Sequence, residues 1–282
     1  MSYGHSNDHD DHHDDHHGSI APFIASAGTM LFLYGFIESW TILFLGIIVL
    51  GWSMAIWWKE DLAGDGSIIE YAQGEPFGGI DIRKVGMWVF LMSEVMVFGS
   101  FFSAYLRIRL SSAWTEEFAA HYITHSFSTL LPGAINTFAL ILSSYTVVLA
   151  LKAASAHEYV APKNMLGKLI MPDRRRAIRN CLIITLLLGT LFLVLKLYEW
   201  NHLIHDYGFT IHSGLAGSVF YVTTGAHGFH VFVGLIFILY FIYKAHIDGF
   251  GPKNAQAIEY YGLYWHFVDL AWVIIFPAFY LY

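Results

Sequence analysis

The amino-acid sequence predicts an all-α protein that spans a membrane with seven transmembrane helices. Its 282 residues are 56% hydrophobic and 13% charged, and their mean hydropathy is +0.51. A soluble domain usually contains about 25% charged residues. The apolar residues also form runs of about 20, the length of a helix that crosses a bilayer, and polar loops separate these runs. We therefore expect a polytopic membrane protein.

Residues 1–18 form a segment of different composition, MSYGHSNDHDDHHDDHHG, with six histidines and five aspartates. The segment lacks the basic and apolar regions of a signal peptide. Its polar composition favours a disordered, solvated tail. The alternative is a pH-sensitive tail or a weak chelator of Zn, Ni or Cu, because clustered imidazoles bind these metals. The histidines that would act as ligands are His9, His12, His13, His16 and His17.

Residues 19–282 form the predicted seven-helix body, in which the first helix is the shortest. The helices are predicted at about residues 20–36, 41–58, 86–106, 130–151, 178–200, 215–243 and 262–282. With the N-terminus inside, twelve of the fifteen Lys and Arg residues fall in inner loops and two in outer loops. Inner loops of membrane proteins are enriched in Lys and Arg. The sequence therefore predicts the N-terminus inside and the C-terminus outside.

Several classes of function are excluded by charge and by residue types. The formal net charge of −7 leaves no basic excess to neutralise phosphates, so nucleic acid is not an expected partner. The single cysteine, Cys181, excludes a disulfide framework and any metal site built from several cysteines. The loops contain neither a phosphate-binding loop nor a nucleophile elbow.

Glu94 is an acidic residue inside the third predicted helix, in GMWVFLMSEVMVFGSFFSAYLRIR. An ionised carboxylate at the centre of a membrane helix costs about 2.5–3.5 kcal/mol on insertion scales. The side chain must therefore be protonated, paired or hydrated. Two interpretations stay open, a structural acid that joins two helices by a hydrogen bond and a proton-accessible functional site.

Two further pairs of polar residues lie inside predicted helices. His227 and His230 are three residues apart in TTGAHGFHVFVG, so we expect them on one helix face. His266 and Asp269 have the same spacing in YGLYWHFVDLAW. The residue types would suit a metal ion, but neither helix has the His-x3-His or Glu-x2-His spacing of a metal site. Hydrogen bonds between helices are the favoured interpretation.

Charged residues near the ends of the fifth predicted helix are interpreted as structural. Lys196 and Glu199 form an i, i+3 pair near its outer end, and we expect the Lys196 amine to extend to the membrane surface. Four arginines at its inner end are expected to fix the orientation and to contact anionic lipid. They are Arg174, Arg175, Arg176 and Arg179.

The sequence resembles subunit III of the haem–copper oxidases, in the seven-helix form found in cytochrome c oxidase. The segments that carry the resemblance are SMAIWWKEDL, GMWVFLMSEVMVFGSFFSAY, LVLKLYEW, SVFYVTTGAHGFHVFVGLIFILYF and YYGLYWHFVDLAWVIIFPAFYLY. The last two are the most specific, since they combine a glycine-flanked histidine pair with a helix containing WHFVD. The resemblance extends from about residue 20 to residue 282 and does not include the tail.

This resemblance implies an accessory subunit of a respiratory oxidase that reduces O2 to water, pumps protons and takes electrons from cytochrome c. The haems and copper are expected in subunits I and II, and no cofactor in this chain. Helices 1–2 and helices 3–7 are expected to form a V-shaped cleft that holds phospholipid. Glu94 matches the carbodiimide-sensitive acid of the family. The subunit is expected to sustain proton uptake into subunit I and to protect the oxidase during turnover.

The resemblance also implies which residues contact phospholipid. The family's lipid-contacting positions correspond to Trp58, Glu94, His230 and Lys244. Lys59 and Lys84 occupy positions where the family has arginine, so the charge is kept but the bidentate contact to phosphate is lost. Both a mitochondrial inner membrane and a prokaryotic plasma membrane suit the family, and the unusual tail favours the prokaryotic one.

Three alternative functions stay open. A proton-coupled transporter would use Glu94, His227 and His230 as a proton relay. A membrane metalloenzyme would use the intramembrane histidines as ligands. A subunit III from a quinol-oxidising relative is the third, although such relatives usually lack the first two helices.

Overall fold

The computed structural model describes residues 20–63, 71–111, 127–162, 164–247, 249–252 and 254–281. Within these residues there are seven long helices, one short helix and a closing π-helical turn, and no strand. The long helices are α1 (Ala21–Glu38), α2 (Trp40–Ala63), α3 (Ile82–Arg109), α4 (Phe127–Ser155), α6 (Arg174–Asp206), α7 (Gly214–Ile247) and α8 (Gln256–Phe276). The short helix is α5 (Met165–Ile170), and the π-helical turn is Pro277–Leu281.

The long helices have the length and composition of membrane-spanning segments. Six of them, α2, α3, α4, α6, α7 and α8, are long and apolar enough to cross a bilayer. Helix α1 is shorter by this measure, with its apolar part at Ala21–Gly35. The predicted all-α class and the order of the helices are therefore confirmed for the described residues, and six apolar helices fit an integral membrane protein.

Most helices extend beyond the apolar runs from which they are predicted. Helix α6 begins at Arg174 rather than at residue 178 and continues to Asp206, six residues past the predicted end. Helix α8 begins at Gln256 rather than at residue 262. An apolar run ends where the chain leaves the hydrocarbon, whereas the backbone keeps its helical hydrogen bonds into the headgroup region.

The chain divides into two compact units, Met1–Tyr71 and Ala72–Tyr282. In the first unit, α1 and α2 pack as a helical hairpin. A methyl group at Gly35 would come within 2.3 Å of the Leu43 backbone nitrogen, so glycine permits this close approach. The buried Ser53 hydroxyl donates to the Ala21 carbonyl at 2.7 Å and joins the middle of α2 to the start of α1.

The second unit is a bundle in which α8 contacts α3, α4 and α7, while α6 packs against α4 and α7. Trp265 of α8 is fully buried in a slot between two glycines. A methyl group at Gly189 of α6 would come within 3.0 Å of its ring, and one at Gly234 of α7 within 2.6 Å. The indole nitrogen of Trp265 donates to the Ser143 hydroxyl of α4 at 2.9 Å. One side chain thus holds three helices around α8.

Two of the four arginines at the start of α6, Arg174 and Arg175, hydrogen-bond to backbone carbonyls of other segments, a role that the sequence interpretation did not include. The Arg174 guanidinium donates to the carbonyl of Ala156 and, at 2.9 Å, to that of His157, just after α4 ends. Arg175 donates to three carbonyls at the end of α7, including that of His246 at 2.7 Å. The last carbonyls of a helix have no partner within it, so these arginines satisfy them.

The start of α3 is tied to α8 by two polar contacts. Asp81 caps α3 by accepting from the Arg83 amide at 2.9 Å, and it also accepts from the Tyr260 hydroxyl at 2.6 Å. The Tyr260 hydrogen bond holds the pKa of Asp81 below its ordinary value of 3.8. Lys84 donates to Glu259 at 2.5 Å. These contacts fix the depth at which α3 lies beside α8.

Candidate functional site

Glu94 of α3 and His230 of α7 form a pair in the middle of the second unit. The distance from His230 Nε2 to Glu94 Oε2 is 3.1 Å. Each side chain is about one-sixth exposed, at 16% for His230 and 17% for Glu94. Glu94 lies twelve residues, about 18 Å, from the start of α3. The sequence places an acid in the membrane, and the structure shows which side chain is its partner.

The hydrogen bonds of His230 define how many protons the pair holds. Its Nδ1 is 2.7 Å from the Ala226 carbonyl, which only accepts, so Nδ1 carries a proton. Nε2 and the Glu94 carboxyl then share a second proton, which belongs either to an ion pair or to a neutral acid and imidazole. Both forms have zero net charge. The pair therefore lowers the cost of an acid in the bilayer and can hold one exchangeable proton.

Aromatic residues fix the imidazole in this position. The Phe98 ring meets the His230 ring edge-on at a centroid distance of 5.4 Å. Tyr264 of α8 donates to the His230 carbonyl at 2.9 Å and stacks on Phe90 of α3 at 6.3 Å. The site is thus built from α3, α7 and α8, with the polar atoms inside an aromatic wall.

His227 does not join this pair, although it is three residues from His230. Its ring is fully buried between Phe192 and Trp272, each at a centroid distance of 5.2 Å. Nε2 donates to the Val268 carbonyl at 3.0 Å. The sequence left open a metal ligand and a hydrogen bond between helices for His227, and the structure shows the hydrogen bond.

His266 and Asp269 lie on α8, apart from the Glu94–His230 pair. His266 Nδ1 is 3.8 Å from Asp269 Oδ2. The Asp269 side chain is buried, whereas 62% of the His266 side chain is exposed. A polar residue at this depth with an exposed ring was not expected from the sequence.

Lys196 is the clearest difference from the sequence interpretation. Its side chain is 4% exposed and does not extend to the membrane surface, so that expectation is wrong. The ammonium donates to Glu199 at 3.0 Å and to the Tyr280 hydroxyl, which in turn donates to Glu199 at 2.5 Å. It also lies 5.1 Å from the Phe220 ring centroid and 5.3 Å from that of Trp272. A counter-ion, a hydroxyl and aromatic faces keep the charge inside the bundle.

The residues with an implied lipid contact are distributed over both units. In the second unit, Lys84 is paired with Glu259, and Lys244 lies 5.8 Å from the Phe250 ring centroid near the end of α7. In the first unit, Lys59 is exposed near the end of α2. Trp58 lies in α2, but its side chain is outside the described part of the structure. The assignment of these residues to lipid stays a prediction.

The histidines and acids of the described residues do not form a metal-binding group. No cluster of three or more His, Cys, Asp or Glu side chains suited to a metal ion occurs there. The tail histidines, for which weak chelation is the alternative interpretation, lie outside the described residues.

The sequence model described as cytochrome c oxidase subunit III matches residues 15–282, a range that includes all seven long helices. The chain belongs to the cytochrome c oxidase subunit III family. Members of this family are subunits of haem–copper oxidase complexes.

Curated subunit III relatives include both separate and fused proteins. Heme-copper oxidase subunit I+III of Aeropyrum pernix is 32% identical over 277 residues, 94% of this chain. The chain spans 31% of the length of that protein. Cytochrome c oxidase subunit 3 of Bacillus subtilis is 36% identical over 199 residues, 71% of this chain and 86% of the relative. Probable quinol oxidase subunit 3 of Staphylococcus saprophyticus is 31% identical over 201 residues, 71% of this chain and 89% of the relative.

The lengths of these subunit III matches do not separate the two electron donors. The cytochrome c relative and the quinol relative match nearly the same number of residues, 199 and 201. The family assignment therefore does not separate the cytochrome c branch from the quinol branch.

Proposed function

We propose that the chain is the accessory subunit III of a respiratory terminal oxidase that reduces O2 to water and pumps protons. The haems and copper belong to subunits I and II in this proposal, and cytochrome c donates electrons to the complex. The family assignment over residues 15–282 and the Glu94–His230 pair inside the bundle support it. The proposed location is a prokaryotic plasma membrane or a mitochondrial inner membrane, with the N-terminus inside.

The Glu94–His230 contact is the main structural observation that supports the proposed role of this subunit. The pair holds one exchangeable proton at zero net charge and is partly exposed. The pair is neutral while it holds this proton and carries one negative charge when the proton leaves, so the loss of one proton favours the uptake of another. We assign to it the support of proton uptake into subunit I and of stability during turnover.

A second part of the proposal is phospholipid binding. Lys59, Lys84 and Lys244 are cations near the predicted inner ends of their helices, where a headgroup phosphate would lie. Lys84 already donates a hydrogen bond to Glu259 at 2.5 Å, so a phosphate would compete with this carboxylate for the Lys84 ammonium. The resemblance to the family supports a V-shaped cleft for the lipid tails, with Trp58, Glu94 and His230 among its contacts.

Gentle purification of the tagged chain tests the assignment to an oxidase. We expect a haem-containing subunit to co-purify at one-to-one stoichiometry. The proton-coupled transporter predicts the opposite pattern, in which the isolated chain moves protons across liposomes and no haem protein accompanies it. Either transport by the chain alone or purification without any haem protein would contradict the proposal.

Quinol is the second candidate donor, because the S. saprophyticus relative is a probable quinol oxidase subunit 3. Oxygen consumption by the purified complex distinguishes the two donors. We expect turnover with reduced cytochrome c and little with a reduced quinol. Turnover restricted to quinol would assign the complex to the other branch.

Carbodiimide labelling tests the role of Glu94. We expect dicyclohexylcarbodiimide to label the wild-type subunit, and Glu94→Ala to remove most of the label. Glu199→Gln is the matched control, since it removes another buried acid that has its own ammonium partner. Glu94→Ala should also reduce the number of turnovers before the oxidase is inactivated. Undiminished labelling in Glu94→Ala would refute the assignment.

A further inference from the structure

A cavity lies between the end of α4 and the segment that connects α4 to α6. Its volume is about 420 Å³, within the range of about 300–1,000 Å³ that ligand sites have. The apolar span of α4 ends at Ser155, so the cavity lies at the depth of the lipid headgroups. The residues for which the family resemblance implies lipid contacts lie on α2, α3 and α7, and none of them lines this cavity.

Several contacts hold the connecting segment in place. The Tyr159 hydroxyl donates to the Met171 carbonyl at 2.7 Å, and both residues line the cavity. A methyl group at Gly167 of α5 would come within 2.5 Å of the Pro162 side chain, so glycine permits α5 to pack closely on this wall. Arg174 donates to the first two carbonyls after α4. The cavity is therefore preformed, and a ligand that binds there does not have to order it.

Two charges of opposite sign line the cavity. Lys152 lies in the last turn of α4, and Glu158 follows the end of α4 by three residues. Both residues are exposed, and neither is in an ion pair or a hydrogen bond within the described residues. A ligand with one anionic and one cationic group would pair with both through charge-assisted hydrogen bonds. A ligand with a single charge would leave one of the two side chains without a partner.

The remaining wall of the cavity is largely apolar. Leu149, Ala153, Val160 and Pro162 contribute to it. Val160 is 80% exposed although it lies at the level of the membrane surface. Apolar side chains at this depth are favoured when the apolar part of a lipid covers them, because their contact with water is unfavourable. The lining therefore suits an amphipathic ligand with both charges in its head.

We propose that this cavity binds the headgroup and glycerol region of a phosphatidylethanolamine, a phospholipid with a phosphate and a primary ammonium. The Lys152 ammonium pairs with the phosphate, and the Glu158 carboxylate accepts a hydrogen bond from the lipid ammonium. The apolar wall at Val160 contacts the start of an acyl chain. Phosphatidylglycerol offers no cation to Glu158, and the quaternary ammonium of phosphatidylcholine has no N–H to donate.

Photolabelling with lipid probes tests which headgroup the cavity prefers. The full chain, in the complex with which it purifies, is reconstituted with a phosphatidylethanolamine or a phosphatidylglycerol that carries a diazirine at the same position near the glycerol. Labelled peptides are identified by mass spectrometry. We expect the phosphatidylethanolamine probe to label residues 149–171 about twofold to fivefold more than the phosphatidylglycerol probe, the effect of one exposed ion pair. Equal labelling by the two probes, or no labelling of these residues, would overturn the proposal.

Charge-removing variants test the two contacts separately. Glu158→Gln should remove the preference for phosphatidylethanolamine, whereas Lys152→Gln should lower labelling by both probes, since both lipids have a phosphate. Lys168→Gln and Asp173→Asn are the matched controls, because they remove a base and an acid that are exposed in the same connecting segment but do not line the cavity. Labelling of peptides elsewhere in the chain is the internal reference for folding. An unchanged preference in Glu158→Gln, or a control variant as impaired as Lys152→Gln, would contradict the assigned contacts.

This inference does not depend on the electron donor or on the partner subunits. It requires only that α4 spans a bilayer and ends at the headgroups. A chain that purifies without a haem protein would contradict the proposed function and leave the labelling pattern as expected. Labelling without headgroup preference in a complex that contains haem would leave the proposed function intact and show that this inference alone is wrong.

Discussion

Two ionisable side chains inside the bundle are each neutralised by a neighbour, but in different ways. Glu94 finds its partner on another helix, at His230, and shares a proton with it. Lys196 finds Glu199 on its own helix, and Tyr280 completes a triangle of hydrogen bonds. The first arrangement leaves a partly exposed group that can exchange a proton, whereas the second is closed by aromatic rings.

Breaking the second arrangement should be costly at the level of single residues. Lys196→Met leaves the Glu199 carboxylate buried without its ammonium, and we expect a loss of about 3–5 kcal/mol in the free energy of unfolding. The double variant Lys196→Met with Glu199→Gln should lose clearly less, since no unpaired charge remains. Unfolding in mixed micelles measures the wild-type protein, the two single variants and the double variant. A double variant as unstable as the sum of the two single variants would show that the charges are not coupled.

Sequence reasoning located these polar residues but not their surroundings. Glu94, His230 and Asp269 stand out because acids and imidazoles are rare in apolar runs. The burial of Lys196 depends on Tyr280, which is 84 residues away in the chain, and no local pattern contains that contact. For the same reason, the exposure of His266 required the packing of α8 against its neighbours.

Helix α3 has few buried residues, but it makes several hydrogen bonds to neighbouring segments. Phe98 and Tyr105 are its only buried residues in the described structure. Asp81 and Lys84 attach its start to α8, Glu94 attaches its middle to α7, and the Tyr105 hydroxyl donates to the Ala278 carbonyl. Directional contacts at three depths fix this helix where apolar packing contributes little.

The attachment at the start of α3 should depend on pH. Since the Tyr260 hydrogen bond lowers the pKa of folded Asp81, the carboxylate stabilises α3 above pH 3.8, and this contribution is lost as the pH falls through the lower folded value. Tyr260→Phe should move that loss to higher pH, closer to 3.8. Amide hydrogen exchange of residues 82–90, corrected for intrinsic rates, measures the pH at which this stabilisation is lost. Tyr261→Phe is the control, because its buried hydroxyl has no hydrogen-bond partner among the described residues; an equal shift there would contradict the assignment.

The packing of α7 against Trp265 of α8 gives a second prediction at the scale of the helices. Gly234→Ala would place a methyl group 2.6 Å from the Trp265 ring, so we expect a loss of about 1–3 kcal/mol in the free energy of unfolding. Gly228→Ala on the same helix meets no atom within 4 Å and should be neutral or slightly stabilising. Equal effects of the two substitutions on unfolding in micelles would show that the slot is not tight.

At the scale of the molecule, the orientation predicted from Lys and Arg can be measured with introduced cysteines. Cys181 is buried, so the wild-type chain should not react with an impermeant maleimide. Leu110 follows α3 and Met165 follows α4, and they are 87% and 90% exposed. We expect Leu110→Cys to react from the outside and Met165→Cys from the inside. Reaction of both from one side would contradict the single span of α4 between them, and reversed sides would invert the orientation.

The number and order of helices could be predicted from the sequence, because each apolar run of about 20 residues has one stable form in a bilayer. The division into Met1–Tyr71 and Ala72–Tyr282 is not contained in any local pattern, since the contacts that define a unit lie between distant residues, and only the family resemblance grouped helices 1–2 apart from helices 3–7. Helix ends were also missed, as at Gln256, because polar residues continue a helix outside the hydrocarbon.

The position of Lys196 and Glu199 on one helix has a consequence for biosynthesis. The two residues are three apart, so their two charges already cancel within α6 while the rest of the bundle is still being translated. Tyr280 leaves the ribosome only after α7 and α8. Insertion of α6 therefore does not depend on Tyr280, and the hydroxyl closes the triangle last, as the end of the chain folds into place.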